Sequence, residues 1–126
     1  MIDEDARNLA VTAAQVADAH HATDVLVLQV GDVLALTEYF VIAGAPNKRL
    51  VGAVVEEIEA QLKVLADRAP IRVEGVRENQ WVLIDYGDVI VHVFLGEIRD
   101  FYEIERLYTD VPKIEWADDA AAEATG

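Results

Sequence analysis

The stretch from position 81 to 95, WVLIDYGDVIVHVFL, sets two carboxylates and an imidazole in one apolar run: Asp85, Asp88 and His92. Acids and histidine are the groups that general acid–base chemistry and divalent metal sites use. The same run also reads as two strands closed by a tight turn at Asp85-Tyr86-Gly87-Asp88. Strand rise then places His92 about 10 to 14 Å from the turn, too far for the acids and the imidazole to hold one ion. Turn chemistry is therefore expected of Asp85 and Asp88, and a packing or interface contact of His92. No catalytic residue, metal site or cofactor site is assigned.

Two other places carry reactive types. Gly44-Ala45-Pro46-Asn47-Lys48-Arg49 lies where a strand meets a helix, and free amides at a helix N-terminus can hold an anion. It lacks the glycine spacing of phosphate loops, and Asn47 reads as an ordinary N-cap. His20 and His21 close the first helix, where imidazoles suit the helix dipole but, being adjacent, point apart. The chain has no cysteine and no serine, so thiol and serine-triad chemistry are excluded.

Alternation along the hairpin sorts its residues by face. With Tyr86-Gly87 as the central turn residues, Trp81 is expected opposite His92 and Asp85 opposite Asp88. Val82, Ile84, Val89, Val91 and Val93 form one aliphatic face, suited to packing under a helix. Trp81, Leu83, Asp85, Asp88, Ile90, His92 and Phe94 form the other, which is amphipathic. Large aromatics are both core residues and interface anchors.

The elements that position this hairpin follow from hydrophobic spacing. Ala6, Leu9, Ala10, Ala13, Val16 and Ala17 recur at three and four, predicting a helix over 5–20 begun by Asp3 or Asp5. DVLVLQV (24–30) reads as a strand covered on both faces, and Tyr39-Phe40-Val41-Ile42-Ala43 as a second. Val51, Val54, Val55, Ile58, Leu62 and Leu65 predict a helix over 48–66. IRVEG (71–75) is a short strand before the hairpin, and Phe101, Ile104, Leu107 and Tyr108 lie at helical spacing behind it. The expected fold is α/β, a mixed five-stranded sheet flanked by helices, because the passage from 39 to 75 joins parallel strands and 81 to 95 is antiparallel. Residues 1–111 are expected to form one domain, and 112–126 an acidic, frayed tail with Trp116 as its one anchor candidate.

The chain of 126 residues is 53% hydrophobic and carries a formal charge of -14. That acidity argues against binding a nucleic-acid backbone; it reads first as keeping the protein soluble and second as suiting a basic protein partner. The acidic N-terminus and the absence of a long uncharged stretch predict a soluble, cytoplasmic protein with no membrane association.

The block W-x3-D-x-GDV-x-VH-x-F followed by R-x2-Y-x-(L/I)-E-x-L-aromatic closely resembles the Iojap/ribosomal silencing factor (RsfS) family. Here it is filled by Trp81, Asp85, Gly87, Asp88, Val89, His92, Phe94, Arg99, Tyr102, Ile104, Glu105, Leu107 and Tyr108. The resemblance covers roughly residues 6–108. Near position 44 the match is looser: Glu38 and Arg49 fit, whereas Gly44-Ala45-Pro46 departs from the family's loop. The resemblance implies a nucleotidyltransferase-like fold without catalytic residues and a non-enzymatic, homodimeric repressor of translation. It implies binding to large-subunit ribosomal protein uL14, which blocks joining of the small subunit when nutrients are scarce. Transferred to this chain, it makes Trp81, Phe94, Tyr102 and Ile104 apolar anchors and Asp85, Asp88 and Glu105 charges for uL14. The competing expectations are a metal-dependent nucleotidyltransferase using Asp85 and Asp88, and an acidic adaptor for another basic protein.

Overall fold

A computed structural model describes residues 4–117. Asp3, one of the two expected caps of the first helix, lies outside them. Helix α1 (Glu4–Ala19) buries Ala6, Leu9, Ala10, Ala13, Ala14, Val16 and Ala17. Five of these seven are alanines, so the helix axis can approach the sheet closely. Strands β1 (Thr23–Gln29) and β2 (Tyr39–Ala45) follow, then helix α2 (Lys48–Ala66). Asn47 caps α2 by accepting a hydrogen bond from the Leu50 amide at 2.8 Å. The helix stops where Asp67 turns left-handed (φ 53°) and donates its amide back to the last turn. Its stripe of Val51, Val54, Val55, Ile58 and Leu62 is buried. Leu65, expected on the same stripe but in the last turn of the helix, is 63% exposed.

Strands β3 (Arg72–Glu74), β4 (Trp81–Asp85) and β5 (Val89–Leu95) complete a five-stranded sheet of order β1-β2-β5-β4-β3. β2 and β5 pair in parallel and the other pairs are antiparallel, giving the expected mixed sheet. The β2–α2–β3 passage joins strands that point the same way but have β5 and β4 between them. β2 is buried along its whole length because it is central and covered on both faces.

The two faces have different covers. α1 and α2 lie on one, over Val27, Val41, Ala43, Val82, Ile84, Val89, Val91 and Val93. A fully buried Leu or Val there contributes about 1.5–3 kcal/mol relative to exposure. The other face gathers Leu28, Val30, Phe40, Ile42 and Phe94 beneath helix α3 (Gly96–Tyr102) and a 3-10 turn, Ile104–Tyr108. The single helical phase expected through Phe101, Ile104, Leu107 and Tyr108 is broken. Glu103 is left-handed (φ 46°) and resets the phase, so Ile104 turns inward while Phe101 and Leu107 are 79% and 76% exposed.

Residues 112–116, assigned from sequence to the tail, run along the open edge of β1. The Gln29 amide donates to Pro112 O, the Ile114 amide to Val27 O, and Leu28 bridges Lys113. The Trp116 indole donates to Val25 O at 3.0 Å, as an anchor would. An unpaired strand edge exposes donors and acceptors, and this segment meets the Gln29 amide and the Val25 and Val27 carbonyls of β1. Residues 118–126 of the expected tail lie outside the described part.

Candidate partner-binding face

β4 and β5 build the site through their register, which differs from the expected one. Trp81 lies opposite Phe94, Leu83 opposite His92 and Asp85 opposite Ile90. Gly87 and Asp88, not Tyr86 and Gly87, are the central turn residues, since the Tyr86 amide donates to Val89 O at 2.9 Å. The cause is backbone conformation. Gly87 sits at φ 90°, which suits glycine and not tyrosine at the first turn position. The correction moves the pairing by two residues, and two residues preserve side-chain parity. The sorting into an aliphatic and an amphipathic face therefore holds, with Val82, Ile84, Val89, Val91 and Val93 all fully buried under the helices.

The two acids serve the turn and are met by the chain's own arginines. Asp85 accepts from the Gly87 amide (2.8 Å) and from Arg72 Nε (3.2 Å). Asp88 takes a two-pronged contact from Arg68, at 2.7 and 3.3 Å, and the same guanidinium donates to Tyr86 O. Such fork geometry is the stronger form of ion pair. Arg68 and Arg72 were not singled out from sequence, because no motif marks them and only tertiary structure brings them to the turn. Among the described residues no group of three or more His, Asp or Glu is arranged to hold a metal.

His92 is 4% exposed. Its Nδ1 accepts a hydrogen bond from Trp81 Nε1 at 3.1 Å, and its ring packs edge-on to Phe40 at 4.7 Å. Burial lowers its pKa to about 4, so the ring is neutral near pH 7. Because an indole only donates, Nδ1 must be unprotonated and Nε2 carries the hydrogen. Nε2 finds no partner among the described residues.

Trp81 is half-buried. Its ring rests on Phe94 (4.8 Å between centroids) and meets Tyr102 from α3 at 5.2 Å. Phe94 is wholly buried and Ile104 is 8% exposed, so both support the face from beneath; Tyr102, 54% exposed, is on its surface. Glu105 is partly exposed and accepts from the buried Arg99 Nε at 3.1 Å, while Arg99 Nη1 reaches Thr23 O. Arg99 thus staples α3 and the 3-10 turn to β1. Trp81 separates two surface hollows. One, about 260 Å³, is lined by Gly75, Glu78, Gln80, Ile98 and Tyr102, and the other, about 290 Å³, by Glu74 and Leu83. A larger hollow of about 370 Å³ lies elsewhere, between the start of α1 and the end of α2. Its lining takes in Arg68, the partner of Asp88, but none of the aromatic residues of this face.

The other candidates resolve into structure. Gly44 belongs to β2, and an added Cβ would meet Thr23 Oγ1 at 3.0 Å and Arg99 Nη1 at 3.3 Å. Close packing of the chain, with Asn47 as cap, accounts for that loop. His20 lies 3.5 Å from Glu57, both well exposed. No helix among the described residues is long and apolar enough to cross a membrane.

A family model described as "Ribosomal silencing factor during starvation" matches residues 3–126. The ribosomal silencing factor RsfS of Bacillus subtilis is 38% identical over 103 residues, 79% of this chain and 84% of that one. A mouse protein named for mitochondrial assembly of the ribosomal large subunit is 33% identical over 71% of this chain, which spans only 40% of its length. The crystal structure of a Chromobacterium violaceum protein superposes with a TM-score of 0.76 at 29% identity, covering 94% of each chain. The model match over nearly the whole chain and the identity to the Bacillus subtilis protein agree, and this chain belongs to the ribosomal silencing factor family.

Proposed function

We propose that this protein represses translation without turnover, by docking on large-subunit ribosomal protein uL14 and blocking the small subunit with its own bulk. Family membership supports a ribosome-associated, translation-regulating role. The name of the mouse relative points to the large subunit for that protein, and this reading extends the association to the present chain. The observation that carries the reading is the Trp81–Tyr102 surface, two aromatic rings in contact at the rim of an acidic domain. Aromatic anchors of this kind dominate interface energetics. Glu74 and Glu78 rim the two hollows beside Trp81, where Lys or Arg side chains of a basic partner would find opposite charge.

Within this proposal Trp81 and Tyr102 touch uL14, and Phe94 and Ile104 hold them from below. Asp85 and Asp88 act mainly through the turn, adding charge at its rim together with Glu105. A homodimer of the free protein, in the cytoplasm, belongs to the same proposal. The test is titration with isolated uL14, paired with co-sedimentation on free large subunits and intact ribosomes at several salt concentrations. Saturable binding to uL14 and to free large subunits is expected, with intact ribosomes left unbound. Equal sedimentation with both particles would overturn it.

A further inference from the structure

We infer that His92 is a positioning residue: it fixes the indole of Trp81 in the orientation that presents it to a partner. The consequence for uL14 rests on the reading above; the orientation itself does not. Trp81 Nε1 faces inward and ends on His92 Nδ1. The imidazole is restrained, being almost wholly buried with Phe40 and Phe94 as ring neighbours at 4.7 and 6.1 Å between centroids. One edge of the indole is thus pinned to the sheet, while Tyr102 closes its exposed side. Both hollows of the face use Trp81 as their common wall, so any rotation of the ring reshapes both at once.

The state of the imidazole argues for this role over packing alone. An apolar side chain would fill the same space without leaving Nε2–H buried and unpaired, an omission that ordinarily destabilises a fold. A histidine kept at that site has one satisfied polar atom, and that atom holds Trp81. An anchor already in its bound rotamer does not lose that freedom on binding.

Three variants separate positioning from packing. His92→Phe keeps the ring and removes the acceptor. His92→Asn restores an acceptor, since its amide oxygen takes the place of Nδ1. Trp81→Ala removes the anchor. In the free full-length protein, a scalar coupling across the Nε1–H···Nδ1 bond and a well-ordered Trp81 indole are expected by NMR. The indole should gain mobility in His92→Phe and stay ordered in His92→Asn. Against isolated uL14, His92→Phe is expected to bind about three- to tenfold more weakly, the size of one freed side chain. Its melting temperature should change little, because the variant removes the unpaired Nε2–H but leaves the indole Nε1–H without its acceptor, and Asn should recover most of the affinity. An indole as ordered in His92→Phe as in the parent would overturn the inference, whatever uL14 does. If Trp81→Ala binds uL14 like the parent, the uL14 reading fails, and the NMR result still decides whether His92 fixes the indole.

Discussion

The two faces of the sheet are built on different principles. Under α1 and α2 the contacts are aliphatic and β-branched, supplied by two helices of 16 and 19 residues. Under α3 and the 3-10 turn, elements of 7 and 5 residues cover aromatic rings, a buried histidine and a buried arginine. His92 Nε2 and Glu105 Oε2, two buried polar atoms that find no partner, are both on this thin side. Apart from the Tyr86 hydroxyl, the first face is made by apolar packing, which serves stability. The second holds polar groups and exposed rings that packing alone does not call for, and it is the face proposed for recognition.

That division can be broken in graded ways. Leu62→Ala, beneath the two long helices, should destabilise by about 2–5 kcal/mol in urea denaturation, while the molecules that remain folded bind uL14 as the parent does. A comparable loss of affinity per folded molecule would mean the faces are not independent.

Acid should act through the thin face. The pKa of His92 falls from 6.5 to about 4 on folding, so only the unfolded chain takes a proton between those values. Stability is complete above pH 6.5 and is lost as pH falls toward 4, by about 3 kcal/mol from this group. His92→Phe should lack that part of the acid sensitivity. Denaturation midpoints of both proteins from pH 7 to 4, compared as a difference, cancel the carboxylates they share.

Tyr102→Ala should leave the fold within about 1 kcal/mol of the parent, since the ring is half exposed, yet weaken uL14 binding by about 2 kcal/mol. Calorimetric titration beside a thermal melt measures both. If stability falls and affinity does not, Tyr102 is a lid over Phe94 and no anchor. Smallest of all is Tyr86→Phe. The Tyr86 hydroxyl is buried without a partner on the helix-covered side, and burial raises its pKa to about 12. Removing it should change stability by less than about 1 kcal/mol, in the favourable direction. A clear loss in chemical denaturation would show that the hydroxyl makes a contact of value to the fold.

Much of the helix-covered face was legible in the sequence, because spacing in α1, α2 and the hairpin reports directly which side is apolar. The faces survived an error in register, since a slip of two residues keeps parity. What could not be read depends on single backbone conformations or on distant partners. Gly87 decides the turn, Glu103 breaks the last helix in two, and Arg68 and Arg72 reach the turn acids only in three dimensions. The edge pairing of residues 112–116 with β1 left no periodic trace, as a single bridge does not need alternation. Of the proposed anchors, Trp81 and Tyr102 are in ring contact, whereas Phe94 is completely buried.

Hydrogen exchange of the protein alone and bound to free large subunits tests the central claim most directly, because it locates the contact without substitution. New protection is expected along 74–83 and 96–108, with α1 and α2 unchanged. Protection confined to α1 and α2 would contradict it and place the ribosome on the opposite side of the sheet.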